Sequence, residues 1–472
     1  MMLRPALLSL LLVLLPACGG GEQVRPNVLV ISIDMLRADH VSSYGYERTT
    51  TPTIDGLATD GVRFARHVSS APWTLPAHAA MFTSLPDSVH GCVDGTSNAL
   101  PDGITTLAER YSQAGYGTSG FFAGPYLHPA FGLGQGFDEY RFCVPDLAAR
   151  LDGQSVDQWA GDPVAHRRSH HGVTNPDVVN AASAWLREHR EDPFFMFVHL
   201  WDAHFDFVPP APFDARFGDP SYDGFVDGRE FFFDQRIHGG MDDRDLRQLI
   251  ALYDGEIMWC DVHVKLLLGL LDELELADDT IVVVTSDHGT EFFDHGSKGH
   301  RRTLYGEAIN IPLVIRAPGR LPRGMVVDDL TRMVDLGPTL MELSGLAPSN
   351  EFVGQSLAPL ARGEDVPPRI ALSELLADQN RMRSVISGQG KLVWNEVTGD
   401  AVWFDLASDP KELKPQRDLT QGLGLELLRA LQAEMETIER VAEQHQYPWQ
   451  PIVLPPALDS AIRASGYGGG DK

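Results

Sequence analysis

The run Asn27–Ile33 (NVLVISI) is apolar or β-branched at almost every position and stops at a carboxylate, Asp34. A strand that reads as a continuous apolar run, without alternation, is covered on both faces. The same signature returns as a short strand at 118–122, as Phe194–Leu200 (FFMFVHL), at 280–285 (TIVVVT) and at 311–315. Helical stretches alternate with these strands: 104–114, ended by Gly115, then 180–189, 246–276 and, after the last strand, 334–343. Strands alternating with helices predict an α/β fold, a three-layer sandwich with a mostly parallel central sheet. The pattern changes after Gly363. Segments 371–374, 384–394 and 401–404 read as a small antiparallel sheet, followed by a charged helix at 424–444 and a Pro-rich tail. The main domain is therefore expected over 26–363 and a C-terminal α+β subdomain over 364–472. Segments 151–175 and 206–240, rich in Gly, Asp and aromatics, read as long loops bordering a site.

The length of 472 residues suits one large α/β domain with an appendage, and 43% apolar with 22% charged residues is the profile of an ordinary globular chain. A formal net charge of −27 argues against a nucleic-acid partner, because phosphate backbones repel so acidic a surface. An anionic small substrate stays open, since a bound cation reverses the sign locally. At the N-terminus Arg4 precedes an apolar run, 6–15, too short to span a bilayer, and then Leu15-Pro16-Ala17-Cys18 and three glycines. This resembles a bacterial lipoprotein signal over 1–18 with a linker over 19–25. Cys18 would then be lipidated, and the protein would be exported to the periplasm or cell envelope, with that anchor its one membrane contact. Pro16 is unusual in such a box and leaves simple secretion as the alternative. Of the other cysteines, Cys92 and Cys143 are the candidate disulfide, against the alternative of buried free thiols; their spacing fits no zinc motif.

The polar residues fall where the strands end. Asp34 closes one strand, His204 follows another, and Asp287-His288 follows a third. Open α/β sheets bind ligands at the carboxyl ends of their strands. A carboxylate and an imidazole are natural ligands for a divalent cation. The segment from Ala71 to Ser84 (APWTLPAHAAMFTS) places a threonine, Thr74, in a two-proline loop that leads into a helix. Helix-terminal amides beside a cation stabilise the charge of an ester's transition state, and a hydroxyl there is activated for attack. Taken alone, Thr74 is as well explained as a helix cap.

Taken together, these pieces resemble the sulfatase family of the alkaline phosphatase superfamily, over roughly 26–416. The counterparts run in order: Asp34-Met35-Leu36-Arg37-Ala38-Asp39; Thr74 to His78; His199-Leu200-Trp201-Asp202-Ala203-His204; Asp287-His288-Gly289; Asp294-His295-Gly296; Gly299-His300. Downstream, Val334 to Leu340, Gly354-Gln355-Ser356-Leu357, and Phe404-Asp405-Leu406 with Asp409-Pro410 and Glu412 resemble the family's closing helix, turn and C-terminal sheet. The resemblance implies an alkaline-phosphatase-like sandwich and a metal-dependent ester hydrolase. Four departures narrow it. Thr74 stands where the family converts Cys or Ser to formylglycine, so no formylglycine is expected. His78 replaces the loop arginine. Gly120 to Pro125 replaces a lysine-bearing segment, leaving only Tyr126 and His128 nearby. Ile33-Asp34 replaces a double aspartate.

These changes resemble the threonine-nucleophile branch, which includes phosphodiesterases, phosphonate hydrolases and envelope phospho-transferases. By matching position, Asp34, Asp287 and His288 bind one divalent ion (Zn, Mn, Ca or Mg) together with Thr74, the nucleophile. His204 and His300 hold substrate oxygens and protonate the leaving group, a task that Lys298 offers to share. His78 supports the loop or the leaving group. Asp202 with His204 could hold a second ion, although one metal is favoured, and packing or capping accounts for His90 and His295. The expected substrate is an anionic ester (a small molecule, glycan or lipid head group), with phosphoesters favoured over sulfate esters. A true sulfuric ester hydrolase, a transferase and a silent anchored binding protein are the alternatives.

Overall fold

The computed structural model describes residues 25–95, 98–143, 173–377, 380–444, 447 and 450–452. The expected N-terminal signal, with Cys18, lies outside the described residues, as does most of the 151–175 segment.

The five apolar runs all form strands of one sheet. In chain order the sheet's strands are β1 (Asn27–Ile33), β2 (Val62–Val68), β3 (Gly117–Phe122), β4 (Glu139–Phe142), β5 (Phe194–Leu200), β6 (Thr280–Ser286), β7 (Asn310–Arg316) and β8 (Met325–Arg332). Their spatial order is β8-β2-β7-β6-β1-β5-β3-β4. Only β7 runs against its neighbours; every other pairing is parallel. Residues of β1, β5 and β6 are buried throughout, as continuous apolar strands require.

Period-2 alternation sends the two faces of these strands to two separate cores. Val28, Val30, Phe195, Phe197, Ile281 and Val283 pack under helices α2 (Thr74–Thr83), α3 (Leu107–Gln113) and α6 (Leu336–Leu343). Leu29, Ile31, Ile33, Met196, Val198, Leu200, Val282 and Val284 face α1 (Pro52–Asp60), α4 (Asn175–Glu188) and α5 (Asp243–Glu273). The result is a three-layer α/β/α sandwich. Three strands escape the sequence reading: β2 (VRFARHV) and β8 (MVVDDLTR), whose apolar runs are broken by charged residues, and the four-residue edge strand β4 (EYRF).

The C-terminal part is a four-stranded antiparallel meander, β9 (Ile370–Ala377), β10 (Asn380–Ser387), β11 (Gly390–Asn395) and β12 (Ala401–Asp405). Helix α7 (Gly422–Gln444) lies against it through Leu427 and Leu431. The single strand expected over 384–394 is two strands: Gly388, at φ +57°, turns the chain between β10 and β11. The meander is sutured to the main domain near the site. Ser373 Oγ donates to Ser69 O and Glu374 N to Ser70 O, while Ser69 Oγ donates to Asp287 O. Cys92, Cys143 and Cys260 are free and buried, so the Cys92–Cys143 disulfide does not form.

Candidate active site and metal centre

Register brings the polar groups together. Ser32 on β1 sits beside His199 on β5, and Ile33 lies between Leu200 and Ser286, so that Asp34 and Asp287 emerge at one carboxyl edge. Main-chain groups then set each side chain. Asp34 N donates to Leu200 O at 3.0 Å. Asp287 Oδ1 accepts from Met35 N (3.2 Å) and His288 N (2.9 Å), which turns Oδ2 into the cavity. His288 Nδ1–H donates to Gly289 O at 2.8 Å, which leaves the Nε2 lone pair facing the same cavity.

Thr74 is the first residue of α2 and not its cap; Trp73 occupies that place and offers no side-chain acceptor. The first amides of a helix lack intrahelical partners, and Pro76 removes one donor, so the helix end presents amide dipoles beside the Thr74 hydroxyl. Thr74 Oγ1 lies 3.3 Å from His288 Nε2. One turn on, His78 is fully engaged. Its Nδ1–H donates to Thr74 O at 2.8 Å, and its Nε2 accepts from the Ser32 hydroxyl at 3.1 Å. His78 therefore fixes the loop and has no lone pair for a ligand or leaving group.

The remaining contacts have the spacing of a coordination shell. His288 Nε2 is 3.6 Å from Asp34 Oδ1 and 3.4 Å from Asp287 Oδ2. A tetrahedral shell with bonds of about 2.0–2.1 Å places neighbouring donors about 3.3 Å apart. Both oxygens of Asp34 and Oδ2 of Asp287 are buried without a hydrogen-bond partner. Buried carboxylates are otherwise paired or hydrogen-bonded. Burial, reinforced by the charge of Asp287, pushes the Asp34 carboxyl well above its ordinary range. Asp287 goes the other way: burial raises it, but His288, His78 and His199 together hold it below the usual value. Burial lowers His78 and His199 to about 4, and burial with His288 and His204 nearby lowers His300 further, so these rings are neutral. Two acids in a neutral, unpaired pocket fit a cation: Asp34, Asp287 and His288 form one candidate ligand group.

The other expected residues divide. His300 lies beside His288, with ring centres 4.5 Å apart, and His204 lies beside His300 at 5.3 Å. His204 Nδ1–H is tied to Phe205 O at 2.9 Å. Lys298 points elsewhere: its Nζ donates to Phe231 O (2.7 Å) and Ile237 O (2.8 Å), pinning the 206–240 loop beside the site. Asp202 offers nothing to a second ion, because Thr174, Asn175 and Trp259 saturate its oxygens. His295 is held between Glu307 Oε1 and Glu412 O, and His90 Nδ1 accepts from Cys92 N; both serve packing and turns. His199 and Ser32 are the site residues to which the sequence reading gave no role. The strand pattern FFMFVHL held the signal, since His199 shares the face of Phe195 and Phe197.

The chain belongs to the sulfatase family: residues 26–346 match that family's model, and residues 293–440 match the C-terminal model of N-sulphoglucosamine sulphohydrolase. It is a hydrolase acting on ester bonds within the alkaline phosphatase superfamily, a group of metal-dependent enzymes. An arylsulfatase of Clostridium perfringens (strain 13 / Type A) is 25% identical over 440 residues, covering 83% of this chain and 90% of that protein. A steryl-sulfatase of Mus musculus is 25% identical over 450 residues, covering 74% and 67%. Among solved structures, the phosphonate monoester hydrolase of Agrobacterium radiobacter shares the fold, with a TM-score of 0.69 at 24% identity over 89% of this chain and 96% of that one.

Proposed function

We propose that this chain hydrolyses phosphate or sulfate esters through the Thr74 hydroxyl beside one divalent cation, with phosphoesters preferred. The observation that carries the reading is the position of Thr74 Oγ1, 3.3 Å from His288 Nε2, a nitrogen that itself lies 3.4–3.6 Å from carboxylate oxygens without a hydrogen-bond partner. A cation held by Asp34, Asp287 and His288 supplies positive charge that eases loss of the hydroxyl proton and offsets the ester's negative charge. Thr74 Oγ attacks phosphorus in line; the Oγ–P bond forms as the bond to the leaving oxygen breaks. His204 and His300, set in turn beside His288, hold the substrate oxygens; the neutral imidazole of His300 takes up the proton that leaves Thr74 Oγ and passes it to the leaving oxygen. Water then cleaves the phosphothreonine and restores the hydroxyl. His78 holds Thr74 in place, and Lys298 is left out because its ammonium is committed to main-chain carbonyls.

A secondary alcohol cannot be oxidised to the aldehyde that formylglycine requires, so the hydroxyl itself is the reacting group. Phosphoesters carry more charge than sulfate monoesters and gain more from a cation, which supports the preference. The arylsulfatase likeness supports a second reading, sulfate ester cleavage by the same hydroxyl. Transfer of the phosphoryl group to an alcohol instead of water is the third. Export with lipid attachment at Cys18 belongs to the same proposal, with an envelope glycan, lipid head group or other anionic ester as substrate and no nucleic acid.

The test compares aryl sulfate, phosphate monoester, phosphodiester and phosphonate substrates with each cation. Thr74→Ala should lower kcat on the best substrate by roughly 10³-fold or more, and acid-quenched wild type should carry a phosphoryl group on the Thr74 peptide. Full activity of Thr74→Ala would remove the nucleophile assignment. A faster rate on aryl sulfate than on any phosphoester would reverse the preference.

A further inference from the structure

Among the imidazoles of the site, His199 stands apart. His288 engages Nδ1 and His78 engages both nitrogens, whereas Nδ1 and Nε2 of His199 are both buried with no hydrogen-bond partner. The ring is wholly buried at the end of β5. Buried polar atoms without partners are rare enough in native proteins that each requires an explanation.

The surroundings supply one for Nε2. Strand alternation puts His199 on the face that looks toward α2, together with Phe195 and Phe197, and its neighbour in register is Ser32, which anchors His78. The ring meets that of His78 edge-on at 5.2 Å. Gly124 lets the backbone come close on the other side, since a Cβ there would lie 3.2 Å from His199 Cε1. Held this way, Nε2 lies 3.3 Å from Asp34 Oδ2 without a hydrogen bond between them. That is close to the spacing of His288 Nε2 from Thr74 Oγ1, Asp287 Oδ2 and Asp34 Oδ1. It is made to the other oxygen of Asp34, so that one carboxylate is flanked by two imidazoles at the separation of neighbouring donors around a cation. His78, His199 and Asp287 also lie within 4.8 Å of one another, but His78 Nδ1–H is spent on Thr74 O.

We propose that His199 Nε2 is a further ligand of the metal centre, so that the protein donors are Asp34, His199, Asp287 and His288, with Thr74 Oγ1 at the same cavity. Two imidazole nitrogens beside two carboxylates select a borderline transition cation, of the zinc, cobalt or manganese kind, over the oxygen-seeking calcium and magnesium. The assignment rests on the metal-dependent reading above. It changes what the β5 terminus is for: the strand that ends at Leu200 supplies a ligand directly and not only the His204 loop.

The experiment uses the full chain, stripped with a chelator. Loaded with Cu²⁺, the wild type is read by pulsed electron paramagnetic resonance, which counts coordinated imidazoles through their remote nitrogens. Two are expected; one overturns the proposal, and this count needs no variant. In parallel, Co²⁺ is titrated into wild type, His199→Gln, His199→Ala and Asp287→Asn by visible absorption. Both His199 variants should bind Co²⁺ at least about tenfold more weakly, with a shifted ligand-field band and a relative gain for Ca²⁺ in competition. Unchanged affinity and spectrum in His199→Gln would refute His199 as a ligand while Asp287→Asn, by losing binding, upheld the metal site. Wild-type binding retained in Asp287→Asn would instead bring down the metal reading itself.

Discussion

Asp34→Asn should stabilise the metal-free protein and destabilise the metal-loaded one. Ligand atoms of Asp34 and Asp287 lie within 4.8 Å of each other, and both residues are fully buried. Two unit charges at that separation repel by about 3.5 kcal/mol at an effective dielectric near 20. Without a cation the chain avoids most of this by keeping a proton on Asp34, whose carboxyl is raised by burial and by Asp287. Taking up that proton at neutral pH is the residual penalty. An amide of nearly the same shape removes it and donates to Asp287 Oδ2, for a gain of about 1–3 kcal/mol, or a few degrees in Tm. With a cation at a hundred times its Kd, the wild type gains about 2.7 kcal/mol. The variant loses most of that, because a neutral amide is a weak ligand, so the order of the two melting temperatures inverts. The sign with pH follows from the raised folded-state pKa. Stability associated with Asp34 is complete at acid pH and is lost as pH rises through that value. In chelator, the advantage of the variant should therefore widen as pH rises above the ordinary carboxylate range of about 4 toward neutrality. Differential scanning calorimetry with and without chelator reads all of this. A variant less stable than wild type in chelator at neutral pH, or an advantage that shrinks with pH, would refute the account of the pocket.

His78→Leu strands the Ser32 hydroxyl and takes the second, side-chain donor from the Thr74 carbonyl, so urea melts should show a loss of about 1–3 kcal/mol, with kcat falling more than KM rises. Lys298→Met should lower Tm while leaving kcat/KM within about threefold of wild type; a loss of three orders of magnitude would make it a catalytic residue after all. Cys92, Cys143 and Cys260 should resist Ellman's reagent until the protein unfolds, and reductant should leave Tm unchanged. Burial pushes the Cys143 thiol up to about 12 and Cys92 higher still. A non-reduced mass two hydrogens short would contradict the absence of a Cys92–Cys143 bond.

The sandwich was legible because its central strands advertise themselves. A strand covered on both faces must be apolar at every position, so β1, β5 and β6 read unambiguously, and the polar residues that close them mark the ligand edge. The outer strands β2 and β8 stayed hidden for the converse reason. Arg63, Arg66, Asp328 and Asp329 interrupt their apolar runs, and only their neighbours in the sheet explain them. The turn at Gly388 was missed in the same way. Two antiparallel strands with a tight connection look like one when the intervening glycine is the only break.

Within the site, sequence order identified which residues gather at the carboxyl edge and stopped short of what each ring nitrogen does. Thr74 and His78 are four apart, which puts them on one helix face, but only the structure shows that the His78 proton goes to Thr74 O and thereby removes His78 from the ligands. Lys298 is two residues from His300, a spacing that in a strand would put both on one face, but the strand Lys298–Gly299 ends before His300, and the Lys298 ammonium is found under the 206–240 loop. His199 is the converse case. It looked like part of an apolar strand because a neutral, buried imidazole occupies the same kind of place as the Phe197 before it. What separates the two is an accounting of hydrogen bonds, in which Phe197 owes none and His199 owes two. A site of this kind is encoded less in its motif residues than in which of their polar atoms the surrounding fold leaves unpaired.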